Sequence, residues 1–200
     1  MPESPPALDP VTFLREHVAP RSRRRVEELR AQIARLQREL EDRLAAEATI
    51  QMVLDGNGGG VWYLNLRQGD TEVTETPAAP PLVRIQQSRE DWEALARVTL
   101  AGGGGPSAGA DLTRSRVERL RGLTGALEFR LATDDGERTV TVRFGAGEGA
   151  GARCTLCLRA EDARRLQTEE LTPQAAFLQG LVKIEGDLGF AMQVGAALFV

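Results

Sequence analysis

The sequence has few of the side chains that most often carry out chemistry. Of 200 residues one is a histidine and two are cysteines, and aromatic residues make up 4%. The histidine, His17, lies far along the chain from Cys154 and Cys157. No histidine or reactive cysteine therefore accompanies the acidic residues as a catalytic partner. This scarcity argues against an enzyme.

The charge and the length of the apolar runs exclude further classes. The formal net charge of -4 argues against a nucleic-acid-binding protein that relies on a basic surface. No apolar run reaches eighteen residues, and the N-terminal MPESPPALDP lacks the basic-then-apolar pattern of a signal peptide. We therefore expect a cytoplasmic protein. Lys183 is the single lysine among 25 basic residues, which indicates a GC-rich bacterial genome.

The two cysteines form the sequence CTLC, with the spacing of a C-x-x-C redox or zinc motif. The surrounding RCTLCLR alternates as a strand does, and residues three apart on a strand point to opposite faces. We therefore predict two buried thiols here and no metal or redox site.

The N-terminal part contains the strongest helical pattern. Residues 1–21 are proline-rich and predicted to be flexible, apart from a short helix at PVTFLREHV. Residues 22–47 are predicted to form an amphipathic helix whose apolar residues recur every three or four positions. We call five of them the seam: Val26, Leu29, Ile33, Leu36 and Leu40. Such a narrow stripe is typical of a short coiled coil or of a helix on a sheet. Binding of a protein partner or self-association through this helix is the corresponding hypothesis.

Two stretches with strand patterns follow, separated by a glycine-rich linker at 101–110. In the first stretch, apolar residues alternate on both sides of the turn DGNGGG, which predicts a hairpin. No Lys-Ser/Thr and no helix follows these glycines, so they indicate a turn and not a phosphate-binding loop.

The two stretches resemble each other. Residues 83–100 (VRIQQSREDWEALARVTL) align without gaps with 154–171 (CTLCLRAEDARRLQTEEL). Upstream residues also correspond: Ile50 with Leu127, Met52 with Phe129, Leu54 with Leu131, and Leu64 with Val140. Each copy is predicted as hairpin, third strand and a short helix that begins at Ser88 or Ala160, and a helix capped by Asp111 precedes the second copy. We therefore predict a duplication, with lobes at 48–100 and 111–200 about a pseudo-twofold axis.

The last thirty residues have clear local signals. Thr172 is a predicted helix N-cap, with Pro173 at the first helical position and Gly180 after the helix. LVKIE then alternates as a strand, and Asp187 is a predicted cap for the helix LGFAMQVGAALFV. Gln193 is the one polar side chain of that helix, which is therefore apolar on all sides.

This C-terminal segment resembles a known family. PQAAFLQGLVKIEGDLGFAM resembles the terminal signature of the sterol carrier protein 2 family, in which a Pro-Gln-x-Ala-Phe helix leads into Gly-x-x-Lys-Ile-x-Gly-Asp and an apolar helix. EFRLATDDGERTVTVRFG and CTLCLRAEDARRLQ look like strands and the short helix of the same domain. The resemblance covers about 48–100 and 111–200. The first copy is degenerate, because it lacks the final helix and strand.

The resemblance implies an α+β fold of mainly antiparallel curved sheets covered by helices, in two related lobes that follow the long amphipathic helix. It also implies a non-catalytic carrier that holds a sterol-like, fatty-acyl or isoprenoid lipid in an apolar cavity, with no cofactor and at most transient membrane contact. The residues expected to line that cavity are Phe129, Leu166, Phe177, Leu181, Leu188, Phe190, Met192 and Leu198. Ordinary core packing is the alternative for each of them.

Two alternatives to a lipid carrier remain open. The resemblance extends to bacterial relatives that combine this domain with a helical segment and assist isoprenoid-quinone assembly, so an accessory or scaffold protein is one. The other is a structural pseudo-dimer whose cavity is filled by side chains.

Overall fold

A computed structural model describes residues 9–101, 112–145, 152–168 and 170–199. The chain divides into two compact units, the first ending at Asp42 and the second beginning at Arg43. The fold is α+β, with a long N-terminal helix and a large mixed sheet covered by helices. Within the described ranges, no helix has the length and apolar character needed to cross a membrane. The predicted linker at 101–110 lies outside the described residues, apart from Ala101.

The N-terminal helical segment joins the predicted short helix and the predicted long helix without a break. It consists of α1 (Pro10–Phe13), a π-helical turn (Leu14–Val18) and α2 (Ala19–Leu44). The Thr12 amide donates a hydrogen bond to the Asp9 carboxylate at 2.8 Å, and hydrogen bonding from Thr12 lowers the pKa of Asp9. Pro20 has no N–H to donate to the preceding turn, and the wider π-helical turn lies directly before it.

The short helix predicted at PVTFLREHV is present as α1 and the π-helical turn, but two predicted boundaries are wrong. Residues 19–21 belong to α2 and not to a flexible segment, and the helix ends at Leu44 rather than near residue 47. The end of the helix has a packing reason, because Ala46 is completely buried in the core of the second unit and β1 begins two residues later.

The second unit contains eight strands and five helices in its described residues. The strands are β1 (Ala48–Asp55), β2 (Gly60–Arg67), β3 (Asp70–Thr74), β4 (Val83–Ser88), β5 (Gly125–Thr133), β6 (Gly136–Phe144), β7 (Ala152–Arg159) and β8 (Val182–Gly186). The helices are α3 (Arg89–Ala101), α4 (Arg114–Arg121), α5 (Ala160–Gln167), α6 (Pro173–Leu178) and α7 (Leu188–Phe199).

All eight strands lie in one sheet with the order β3-β2-β1-β4-β6-β5-β7-β8. The pairs β1–β4 and β5–β7 are parallel, and the other neighbours are antiparallel. The expectation of two lobes with separate sheets is therefore wrong, because the antiparallel pairing of β4 with β6 joins the two stretches. The pseudo-twofold axis is also wrong, since a twofold would pair equivalent strands, whereas β4 and β6 occupy different places in their halves.

The two halves nevertheless have the same arrangement of three strands, and this arrangement runs in the same direction across the sheet in both halves. β1 lies between β2 and β4, and β5 lies between β6 and β7. Ile50 is opposite Val83 in the first parallel pair, and Leu127 is opposite Cys154 in the second. These are the pairs that the internal alignment equates. The registers of the two hairpins differ by two residues. Ile50 is opposite Leu64, whereas Leu127 is opposite Val142 and not opposite Val140, which the internal alignment equates with Leu64. Duplication stays a prediction, with this shared register as its support.

Local sequence signals explain where the elements begin and turn. The Ser88 hydroxyl accepts from the Asp91 amide at 2.9 Å and thereby caps α3. Thr113, not the predicted Asp111, caps α4 by accepting from the Arg116 amide. In the turn between β1 and β2, a Cβ on Gly59 would lie 2.0 Å from the Leu54 carbonyl oxygen, so only glycine fits there.

The sheet has one apolar and one polar face, because side chains alternate along each strand. The apolar face carries residues such as Leu127, Phe129, Val142, Phe144 and Cys154. The polar face carries the residues at the alternate positions of the same and neighbouring strands: Glu128, Arg130, Thr141, Arg143, Lys183 and Glu185. A sheet with this alternation needs helices on its apolar face only.

A charged contact adds to the β4–β6 junction. From β6, the Arg138 guanidinium donates to the carboxylates of Asp91 and Glu90 on α3, each at 3.2 Å. The Thr139 amide also donates to Asp91 at 3.4 Å. The Asp91 side chain is 19% exposed and that of Glu90 is 84% exposed. The less exposed carboxylate, Asp91, therefore contributes most of the stabilisation from this contact.

We predict that Asp91→Ala lowers the free energy of unfolding by about 1–3 kcal/mol, because it removes the less exposed acceptor of the half-buried Arg138, which keeps only the exposed Glu90 carboxylate, and removes the carboxylate that accepts from the Thr139 amide. Glu90→Ala is the matched control in the same helical turn, and its effect should stay within about 0.5 kcal/mol. Urea denaturation of both variants is the measurement. Equal losses for the two variants would show that burial does not decide this contact.

Candidate functional site

The apolar face of the sheet is covered in its second half by α4 and α7. Val117 and Leu120 of α4 and Phe190, Val194 and Ala197 of α7 are all buried in one core cluster. Strand residues complete that cluster: Leu66, Val83, Leu127, Phe144 and Cys154. The two helices therefore share one core with strands from both halves of the sheet.

Helix α7 is positioned by its N-cap and by one buried face. The Phe190 amide donates to the Asp187 carboxylate at 2.9 Å, as the sequence predicts. The Phe190 ring meets that of Phe144 edge to face, with centroids 6.0 Å apart. Near the other end of the helix, Arg119 of α4 donates to the Ala197 carbonyl at 3.4 Å.

The opposite face of α7 is apolar but exposed. Leu188 is 48% exposed and Met192 is 68% exposed. On α6, Phe177 and Leu178 are 56% and 84% exposed, and both helices contact the edge strand β8. We call these four residues the outer patch. A helix that is apolar on all sides thus buries one face in the core and presents the other at the surface.

The other predicted cavity residues lie deeper. Phe129 and Leu198 are half-buried against the core cluster, and Leu166 and Leu181 are half-buried. Phe190 is 4% exposed and is part of the core. The eight predicted residues therefore do not surround one enclosed space, since Phe177, Leu188 and Met192 are at the surface.

The two cysteines lie on opposite faces of β7, as their spacing predicts. Cys154 is 1% exposed in the core. Burial raises the pKa of its thiol, and the Asp187 carboxylate adds to that effect. Cys157 is only half-buried, so the prediction of two buried thiols holds for Cys154 alone.

Two acidic side chains in this region form ion pairs. Asp162 is buried on α5 and accepts from Arg165 at 3.0 Å. Lys183 donates to Glu185 at 2.6 Å, and this hydrogen bond lowers the pKa of the exposed Glu185. Among the described residues, no group of three or more histidine, cysteine and acidic side chains is arranged to hold a metal ion.

A cleft of about 950 Å³, lined mainly by residues of the first half of the sheet, has no counterpart in the sequence-based predictions. Charged residues line much of it: Glu47, Arg67, Asp70, Glu72 and Arg121. One wall is the segment 78–82, which is fixed by Asn65. The Asn65 amide oxygen accepts from the Thr49 hydroxyl at 2.9 Å and from the Ala78 amide at 3.0 Å. None of the eight predicted cavity residues lines this cleft.

We predict that the two faces of α7 differ sharply in their contribution to stability. Phe190→Ala should lower the free energy of unfolding by about 3–5 kcal/mol, because it leaves a cavity beside Phe144. Met192→Ala, on the exposed face of the same helix, should change it by at most about 0.5 kcal/mol. Thermal and urea denaturation measure both values. A large loss for Met192→Ala would contradict the assignment of the two faces.

Comparison with known proteins gives one family match. The model of the SCP-2 sterol transfer family matches residues 110–199 and does not extend to the first stretch. The crystal structure of sterol carrier protein 2 like 2 from Aedes aegypti is 18% identical, with a TM-score of 0.33, and the alignment covers 56% of this chain and 98% of that chain. The solution structure of sterol carrier protein domain 2 of Helicoverpa armigera is 22% identical, with a TM-score of 0.31. Its alignment covers 54% of this chain and 81% of that chain. No curated protein matches the chain. Residues 110–199 therefore carry the sequence pattern of the SCP-2 sterol transfer family.

Proposed function

We propose that the protein is a non-catalytic lipid carrier that binds one sterol-like, fatty-acyl or isoprenoid molecule. The observation that carries this proposal is the two-sided apolar character of α7. Its inner face packs in the core, whereas Leu188 and Met192 on its outer face remain exposed. A ligand that covers this outer face would remove apolar surface from water, which is favourable. The family match over the same residues supports this function.

The proposed ligand lies against the outer patch and reaches the half-buried side chains beside it. Phe177, Leu188 and Met192 would contact it directly. The wall behind it would consist of the buried Phe190 and four half-buried side chains: Phe129, Leu166, Leu181 and Leu198. The flexible thioether of Met192 suits ligands of varied shape.

Burial of the hydrocarbon supplies the binding energy without any catalytic group. Each buried methylene contributes about 0.8 kcal/mol, so eight to ten of them give roughly 6–8 kcal/mol before the cost of association. The result is an affinity of about micromolar order and a broad chain specificity. The proposal includes a cytoplasmic location and transient contact with membranes, from which the ligand is taken up.

The exposed seam on α2 favours a second candidate function. An accessory protein for isoprenoid-quinone or other lipid biosynthesis would need a surface for its partner enzymes, and the seam provides an apolar one. In this role the second unit would still bind a lipid, so the two functions differ in the partner and not in the ligand.

Native mass spectrometry of the purified chain, followed by organic extraction, tests ligand binding directly. We expect a bound lipid of one acyl, sterol or polyprenyl class, because an apolar surface of this kind retains a ligand during purification. A chain that carries no lipid and binds no fluorescent fatty-acid analogue would identify a structural protein whose apolar residues serve only as core.

We predict that Met192→Glu abolishes binding of a fluorescent fatty-acid analogue and leaves the fold intact. Met192 is 68% exposed, so the new carboxylate stays hydrated in the free protein. A ligand that covers it would desolvate the charge at a cost of several kcal/mol, which weakens a micromolar Kd to about the millimolar range, beyond detection with the probe.

Gln193→Glu is the matched control, since it adds the same charge at the next position of α7, where an exposed polar side chain already stands. It should bind the probe as the unaltered chain does. Equal binding by both variants would rule out the outer patch as the ligand surface, and circular dichroism confirms that each variant is folded.

A further inference from the structure

The seam on α2 is an apolar surface within the first unit that lipid binding does not use. Its five side chains are exposed by 46%, 42%, 55%, 57% and 56%, in chain order. None of the 26 residues of α2, all of which the structure describes, is buried. A helix of this length measures about 39 Å, and most of the stability of such a helix comes from packing its apolar face. The seam therefore requires a partner surface.

The geometry of the seam selects a helix as that partner. The steps between its residues are three, four, three and four, so they occupy the a and d positions of successive heptads. Val26, Ile33 and Leu40 are at a, and Leu29 and Leu36 are at d. Packing on a sheet or in a globular core normally requires a broader stripe that includes e or g positions. Here those positions hold arginine, glutamine and glutamate.

The charges beside the seam indicate which helix fits. The g positions are Arg25, Gln32 and Glu39, so opposite charges lie seven residues on either side of Gln32. A helix with this pattern complements its own reverse, because a twofold axis near Gln32 brings each Arg25 beside the other copy's Glu39. We propose that α2 pairs with α2 of a second copy of this chain as an antiparallel coiled coil.

The apolar layers agree with this register. Val26 packs opposite Leu36 of the second copy, and Leu29 packs opposite Ile33 of the second copy. The twofold axis repeats both layers, which gives four apolar layers. Leu40 meets Ser22 of the second copy at either end of the pair.

A parallel pair is less favourable by charge. It would place Arg25 beside Arg30 of the second copy on both sides of the seam, since g residues then face e residues five positions further on. The antiparallel pair has two attractive Arg25–Glu39 contacts and one close approach of Arg30 to its counterpart. Arg25 already forms an ion pair with Glu28 at 3.5 Å, but both side chains are at least 66% exposed. An exposed ion pair contributes little free energy, so Arg25 can give up Glu28 for Glu39 of the second copy at little cost.

Sedimentation equilibrium of the full chain tests the proposal. We expect the unaltered chain to form a concentration-dependent dimer. Ile33→Asp should make it monomeric, because it places a charge in the central layers. Ala31→Asp is the matched control at an outer f position of the same turn and should remain a dimer. A monomeric unaltered chain, or a dimer that persists in Ile33→Asp, would overturn the proposal.

Charge reversal tests the orientation. Arg25→Glu should raise the dimer Kd about tenfold, because it replaces two attractive contacts with repulsive ones across the antiparallel pair. Adding Glu39→Arg to this variant should restore the original Kd. In a parallel dimer Arg25→Glu would face Arg30 and tighten association, so a lower Kd would refute the antiparallel arrangement. Lipid binding is measured separately, so failure of either proposal is recognisable by itself.

Discussion

The antiparallel pairing of β4 with β6 is the contact on which the second unit depends. It joins strands from two stretches of chain that each form their own hairpin and parallel pair. Without it, both strands would expose unpaired backbone groups at sheet edges. The core cluster also spans this junction, because Val83 of β4 lies opposite Phe144 of β6 and both are buried. The contact from Arg138 to Asp91 reinforces the same junction from the helical side.

A single sheet with one apolar face determines what α7 can do. Its Phe190 face packs in the core cluster against the strands. The outer face does not pack against the sheet, and its exposed apolar residues therefore need another explanation. Ligand contact is the explanation we propose, and it separates stability from binding on two sides of one helix. Substitutions on the outer face can change binding while the core keeps the fold.

Local features were predictable from the sequence, whereas long-range pairing was not. The caps at Ser88, Thr172 and Asp187 were recognised because each depends on residues within one helical turn. The parallel registers follow the internal alignment. The β4–β6 pairing was missed because no local signal specifies which edges meet. For α7, a helix apolar on all sides has no periodicity, so the sequence could not show which residues face the core. Met192 and Phe190 were therefore assigned to the same cavity. The cleft beside Asn65 depends on a loop crossing two strands, which has no sequence signature.

The same-direction arrangement of the two halves has a consequence for how the sheet ends. The halves meet through unlike edges, β4 of the first and β6 of the second, and such a head-to-tail contact does not close on itself. The edge of β2 and the edge of β7 would otherwise be free to repeat that contact between molecules, as an open-ended fibre. β3 occupies the first edge and β8 the second. Both are five-residue strands with charged side chains, among them Glu72 and Lys183, which discourage further strand addition. These two short strands end the sheet on both sides, so that it contains two halves and does not continue into a second molecule.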